Sequence, residues 1–203
     1  MRPGTFSATG AVLGGARAVG QLWRLPAPAR RFYRAAIWTA IRRRDGYTLR
    51  VSLPPRELSE LLDLARGRPR IVELGTANAW TALALASSRP ETEVVTLDPR
   101  VRPEREAYVS LVAPEARSRV TFLTRRGEDA AERIDVDLLY IDTTHEYELV
   151  LACFEQWMPR VVQGGLVVFD DYDHPHFPGP ARAVETLKLD GRRAGRMFVW
   201  TKP

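Results

Sequence analysis

Three carboxylates and a histidine are the side chains in this sequence best placed to do chemistry. Asp142-Thr143-Thr144-His145-Glu146-Tyr147 follows one apolar run, Val136–Ile141. Asp170-Asp171-Tyr172-Asp173-His174-Pro175-His176 follows another, Leu166–Phe169. If the two runs are neighbouring strands, Asp142, Asp170 and Asp171 converge, and carboxylates that close repel unless protons or a cation neutralise them. An all-oxygen cluster suits Mg²⁺, Mn²⁺ or Ca²⁺; zinc needs nitrogen and sulfur ligands that the chain does not convincingly supply. His145 would stand beside such an ion. There it could take a proton from a hydroxyl whose pKa the metal lowers. The plainer alternative is that these aspartates cap the helices that follow the strands. His174 and His176 flank Pro175 and are either substrate contacts or solvated loop residues.

A second set of residues suits a nucleoside. Glu73-Leu74-Gly75-Thr76-Ala77-Asn78-Ala79 follows the run Ile71–Leu74. Gly75 permits a tight turn, while Ala77 and Ala79 stay small where a ligand must approach the backbone. The helix that follows would aim free N–H groups at that ligand. Asp98, 23 residues after Gly75, ends the run Val94–Leu97 and could accept hydrogen bonds from both ribose hydroxyls. Its alternative is a surface aspartate at a strand end. Gly127-Glu128-Asp129 follows Val120–Leu123, where a base edge could be met or where acids simply favour a helix N-terminus. A dinucleotide turn would place glycine where Ala77 stands, which weakens that reading.

The elements that must position these residues alternate. Apolar runs at 71–74, 94–97, 120–123, 136–141 and 166–169 are separated by helical stretches at 78–88, 103–116, 128–134 and 146–161. Doubly apolar strands alternating with helices predict a parallel sheet covered on both faces, with ligands at the C-terminal strand ends. A helix near 179–187 and a strand at 197–201 follow. The stretch LKLDGRRAG between them is a short strand or a loop. Before the sheet, Pro54 and Pro55 open a helix over 56–65 that uses Leu58, Leu61, Leu62 and Leu64, and Gly67 ends it. Residues 28–44 predict another helix, with Phe32, Ala35, Ala36, Trp38 and Ile41 on its apolar face.

Charge divides the chain. Residues 1–50 carry ten arginines against Asp45 alone, whereas the remainder carries twenty bases against twenty-four acids. Residues 1–53 therefore read as a basic, partly helical arm and 54–203 as the main domain. Of the 30 basic residues only Lys188 and Lys202 are lysine, a bias that fits GC-rich codons. The arm packs on the domain over a substrate cleft, or touches a membrane surface or nucleic acid, or is a mitochondrial presequence. No long uncharged apolar run predicts a transmembrane helix, and no secretory signal is evident. The lone Cys153 predicts a buried inert thiol and is consistent with a reducing, cytoplasmic setting.

Residues 70–185 resemble the class I S-adenosylmethionine-dependent methyltransferases. The pieces that carry the resemblance are IVELGTANAWTALALA, VVTLDPR, PARAV and, most specifically, DLLYIDTTHEYELVLACFEQWMPRVVQGGLVVFDDYDHP. The last is similar to the cation-dependent sugar and small-molecule O-methyltransferases. The resemblance implies an α/β, three-layer Rossmann-like sandwich with a mostly parallel seven-stranded sheet, whose last hairpin is here short or reduced. It implies that Glu73, Gly75, Thr76, Ala77, Asp98, Glu128 and Asp142 serve the S-adenosylmethionine site. Asp142, Asp170 and Asp171 match the metal-binding acids, for Mg²⁺ or else Mn²⁺ or Ca²⁺, and His145 matches the base. Ala77 and Ala79 depart from the family, where glycine is commoner.

The activity so implied is methyl transfer to a hydroxyl of a small acceptor, a sugar or a phenol. The alternatives are a metal-independent methyltransferase of the same fold, a non-catalytic nucleoside- or partner-binding protein, and an NAD-linked oxidoreductase. No convincing nucleic-acid site is present, and both membrane contact by the basic arm and homo-oligomerisation are left open.

Overall fold

The computed structural model describes residues 20–129 and 133–203. Helices α1 (Ala27–Arg43), α2 (Gly46–Val51) and α3 (Pro55–Leu64) precede strand β1 (Arg70–Leu74). Then come α4 (Trp80–Ser88), β2 (Glu93–Leu97), α5 (Arg105–Val109), α6 (Pro114–Arg117), β3 (Val120–Leu123) and β4 (Val136–Ile141). The chain closes with α7 (Tyr147–Trp157), β5 (Val161–Phe169), α8 (Gly179–Thr186), β6 (Gly191–Ala194) and β7 (Met197–Thr201). The sheet order is β3-β2-β1-β4-β5-β7-β6. β7 alone runs antiparallel to its neighbours, and the expected C-terminal hairpin is present with a four-residue β6.

Alternation along the strands separates two apolar cores, because successive side chains face opposite sides of a sheet. Ile71, Val94, Leu138, Leu166 and Val168 face α1, α3 and α4. Val72, Leu74, Leu97, Leu139, Ile141, Val167 and Phe169 face α7 and α8. The Trp80–Ser88 helix is buried almost all round, since the sheet covers one side and α1 the other. An Ala/Leu helix with no polar face is the sequence such a middle position requires.

α1 turns a different face inward from the one hydropathy alone suggests. Ala29, Phe32, Tyr33, Ala36, Ile37 and Ala40 are buried, a spacing that follows the helical repeat. Trp38, on the opposite side, is 62% exposed, and Ile41 is 48% exposed. Tyr33 can be buried because its hydroxyl donates to the Leu53 carbonyl at 3.1 Å. Leu22, Leu25 and Leu53 join the same cluster as Ile71 and Val94, so the apolar core runs continuously across the change of charge near residue 53.

Other boundaries shift for local reasons. The helix expected over 103–116 is broken into α5 and α6, because Pro114 forces Ala113 into an extended conformation. Pro159 closes α7 through a single 3₁₀ turn, Met158–Arg160, and β5 starts directly afterwards, earlier than hydropathy indicates. Of the helix expected over 128–134, residues 130–132 lie outside the described residues, and Glu128 and Asp129 form a turn. Most of the arm's first half, residues 1–19, also lies outside them. Among the described residues no helix is long and apolar enough to cross a membrane.

Candidate active site

Four adjacent parallel strands end in register, and the residue after each one continues the sheet for a single hydrogen bond. Asp98 N–H donates to Leu123 O at 3.2 Å, Gly75 to Leu97 at 2.8 Å, Asp142 to Leu74 at 2.9 Å and Asp170 to Ile141 at 3.0 Å. Asp98, Gly75, Asp142 and Asp170 therefore form one row along the C-terminal edge. The nucleoside candidates and the acidic candidates share that rim because parallel pairing leaves no other outcome.

The turn after β1 has a backbone that few residues tolerate. Gly75 has φ 111°, and a Cβ built on it would sit 1.7 Å from the Asp142 carbonyl oxygen. Ala77 and Ala79 have φ of 42° and 67°, the left-handed region in which glycine is at ease and alanine is disfavoured by about 1–2 kcal/mol. Glycines are common at such positions for this conformational reason as well as for their small size. Asp98 holds the turn: its Oδ2 accepts from the Ala77 N–H at 2.9 Å and its Oδ1 from the Arg100 N–H at 2.8 Å.

Glu73 points below the rim into the face shared with Thr96 and Tyr140, its partners in register. The Thr96 hydroxyl lies 2.5 Å from Glu73 Oε2 and donates to it, and Thr76 and Thr96 share a hydroxyl contact of 2.7 Å. Burial lifts the Glu73 carboxyl to about 8, against the Thr96 hydrogen bond and with help from Asp142 and Asp98. It is a neutral acid under the turn at pH 7. Thr76 is buried beside it. Glu128 lies past β3 and pairs with Arg126 at 2.5 Å, with no contact to the acidic cluster among the interactions described.

At the other end of the row, His145 Nε2 faces three carboxylates: Asp142 Oδ1 at 3.5 Å, Asp171 Oδ2 at 3.9 Å and Asp170 Oδ2 at 4.0 Å. Asp142, His145 and Asp170 each offer a ligand atom within 4.8 Å of the others. Asp171 stands outside that compact set and also lies 3.9 Å from Arg196. Among the described residues, His145 Nε2, Asp170 Oδ1 and the Tyr140 hydroxyl are buried without a hydrogen-bond partner. Burial pushes the Asp170 carboxyl well up, and the charges of Asp142 and Asp171 push it further. Burial raises Asp142 as well, although His145 pulls the other way. For His145 burial opposes the imidazolium, yet Asp142 and Asp171 outweigh it and the pKa is raised. The cluster is short of positive charge.

His145 is held by its own strained backbone, φ 61°, and by its neighbours. Its ring stacks on Phe177 at a centroid distance of 5.0 Å, and His174 stacks on Phe177 at 4.5 Å. Gly179 passes so close that a Cβ there would meet the His145 carbonyl oxygen at 2.1 Å. Asp171 is also left-handed, φ 49°. Strained non-glycine residues cluster where surrounding structure over-determines a working geometry. His174 and His176 stay outside the set that could hold an ion among the described residues. Cys153, on α7, is fully buried, and burial pushes its thiol up to about 12.

Sequence reasoning passed over several residues of this rim. Phe177, the brace behind His145, had a weak signal in the run His-Pro-His-Phe. Asn78, Tyr108 and Asp45 had none, because each acquires its partner through contacts remote in the chain.

The comparisons with known proteins agree with this geometry. A family described as a methyltransferase domain matches residues 72–172. No curated protein sequence matches the chain. Among solved structures, CalS11, a TDP-rhamnose 3'-O-methyltransferase of calicheamicin biosynthesis, superposes with a TM-score of 0.60 at 16% identity, covering 97% of this chain and 96% of its own. The methyltransferase PaMTH1 from Podospora anserina, bound to S-adenosylhomocysteine, gives 0.62 at 16% identity over 100% and 98%. MycE of mycinamycin biosynthesis, in complex with Mg and S-adenosylhomocysteine, gives 0.53 at 16% identity over 73% of this chain and 48% of its own. With its sheet order, its strand-end row and the matched domain, the chain belongs to the class I S-adenosylmethionine-dependent methyltransferases.

Proposed function

We propose that this methyltransferase acts on a hydroxyl oxygen of a small acceptor, a sugar or a phenol, with a divalent cation beside the donor. The observation that carries the proposal is the set of three carboxylates around His145 Nε2 at 3.5 to 4.0 Å, on the same rim as the Gly75 turn. Asp142, Asp170 and Asp171 would hold the cation. The carboxylate oxygens of Asp142 and Asp170 come within 4.8 Å of each other, Asp170 Oδ1 is buried without a hydrogen-bond partner among the described residues, and such oxygen donors fit Mg²⁺ or Mn²⁺. When bound, the cation would lower the pKa of an acceptor hydroxyl. MycE, of the same fold, holds Mg, and CalS11 methylates a sugar oxygen.

The chain's own residues supply the rest. The Gly75–Ala79 turn and Asp98 would seat the donor's nucleoside, and Glu128 would lie toward its base. Glu73, neutral at pH 7, adds no competing charge. His145 Nε2, the nitrogen turned toward the cluster, would accept the acceptor's proton as the oxygen–methyl bond forms and the sulfur–methyl bond breaks. Phe177 keeps its ring from turning away. Donor and acceptor meet in a fixed orientation, and that alignment accounts for much of the rate.

A second reading has its own support. A protonated His145 stands close enough to all three carboxylates to supply their positive charge itself, so the same fold could work without a metal. The decisive experiment incubates the enzyme with S-adenosylmethionine, a panel of sugars, nucleotide sugars and phenols, and either Mg²⁺ or excess chelator, and follows S-adenosylhomocysteine. Mn²⁺ is titrated separately into wild type, Asp142→Asn and Asp170→Asn. The proposal expects activity that chelator abolishes and Mn²⁺ binding that both variants lose. Full turnover in chelator would establish the metal-free reading instead.

A further inference from the structure

Asp45 is the one acid among the first fifty residues, and its carboxylate gathers hydrogen bonds from three separate parts of the chain. It caps α2, accepting the Thr48 N–H on Oδ1 at 3.0 Å. Its Oδ2 accepts from the Thr48 hydroxyl at 2.5 Å and from the Tyr108 hydroxyl of α5 at 2.6 Å. Asn78 Nδ2, in the donor turn, reaches the same Oδ2 at 3.5 Å and donates to Thr48 Oγ1. The direction of the chain is set. Asn78 donates to the Thr48 hydroxyl, that hydroxyl donates to Asp45, and the carboxylate only accepts. Thr48 and Asn78 are buried, at 0% and 2% exposure, so a broken link would leave a polar group without water.

Asn78 lies between Ala77 and Ala79, the two left-handed alanines of the turn. A turn with two disfavoured residues keeps its shape only if something outside it holds it there. Asp98 holds one side through the Ala77 N–H. Asn78 is the hold on the other side, and it leads to Asp45, outside the matched domain of residues 72–172.

We infer that Asp45 is a positioning residue for donor binding: through Thr48 and Asn78 it fixes the Gly75–Ala79 turn, and it makes the docked α1–α2 corner part of the donor site. This rests on the assignment of that turn to the donor. The short α2 needs only the Oδ1 cap, whereas Oδ2 serves the long-range contacts. Capping and positioning can therefore be separated.

The test is calorimetric titration of S-adenosylhomocysteine into the full chain. Asp45→Asn retains a good capping residue but turns an amide nitrogen toward donors. It is expected to weaken S-adenosylhomocysteine about tenfold. Thr48→Val leaves the backbone cap and Asp45 intact while breaking the relay, and is expected to weaken binding in the same direction; it carries the test if Asp45→Asn does not fold. The double variant Asp45→Asn/Asn78→Ala separates positioning from general destabilisation. If Asp45 acts through Asn78, Asp45→Asn changes affinity by less than about twofold once Asn78 is alanine. Fold-changes that multiply in the double variant, or affinities within about twofold of wild type for both Asp45→Asn and Thr48→Val, would overturn the inference alone. A folded wild type that takes up no S-adenosylhomocysteine would overturn the donor assignment, and the inference with it.

Discussion

Replacing Glu73 with glutamine should change how the stability of the fold responds to pH. Glu73 is 1% exposed, and burial raises its carboxyl from the ordinary 4.5 to about 8. Between those values the folded chain keeps a proton that the unfolded chain gives up. Stability therefore falls as pH rises through that window, is unaffected by this group below it, and has lost the whole contribution above it. At about 1.4 kcal/mol per pH unit the loss reaches about 5 kcal/mol across the window, and about 3 kcal/mol of it has accrued by pH 7. Glutamine is a neutral stand-in for the protonated acid and can still accept from Thr96. Thermal and urea unfolding of the ligand-free protein in chelator, from about pH 5 to pH 9, would compare the two forms. Near pH 5 they should coincide. Near pH 8.5 the variant should melt about 10 °C or more above wild type, since 1 kcal/mol moves the midpoint of a chain this size by about 2–4 °C. Unfolding curves that run parallel across the whole range would refute the assignment of a neutral, buried Glu73.

Three further outcomes concern the donor turn. Gly75→Ala places a methyl 1.7 Å from the Asp142 carbonyl oxygen at a φ of 111°, so it should lose more than about 3 kcal/mol of stability and all measurable S-adenosylhomocysteine binding; a wild-type denaturation midpoint would contradict the packing described. Ala77→Gly should stabilise by about 0.5–1 kcal/mol, the relief of a left-handed alanine less the extra freedom of glycine when unfolded. Ala79→Gly should gain less, because Ala79 is buried and its methyl contacts are lost; paired urea titrations of the two variants would rank them.

Much of the sheet was open to a reader of the chain. Its strands are short β-branched runs, their termini are marked by glycine, proline and aspartate, and each end is a local event. Once the strands are parallel, the residues just past Leu74, Leu97, Ile141 and Phe169 must share one edge, so the sequence alone groups Gly75, Asp98, Asp142 and Asp170. Where locality failed, so did the reading. Trp38 and Ile41 are as apolar as Ile37, and only the seat of α1 on Trp80–Ser88 decides which of them is covered. Alanine at 77 and 79 does not by itself indicate a left-handed backbone, and the contacts that flank it, Asp98 on Ala77 and Asn78 on Thr48, come from remote parts of the chain. Glu73 and Asp170 are both acids at the end of a strand. Their raised pKa values come from what surrounds them: burial first in both cases, in the packed face under the turn for Glu73 and beside two more carboxylates for Asp170.

The one-dimensional chain determined which strands form and which chemical groups stand at their ends, because hydropathy period and turn chemistry act over a few residues. Tertiary packing alone decided which groups lose water, which charges face one another and which distant side chain steadies the turn. Those outcomes depend on distances between atoms that sequence separation does not encode: Asn78 reaches across 30 residues to Thr48, and Tyr108 across 63 to Asp45.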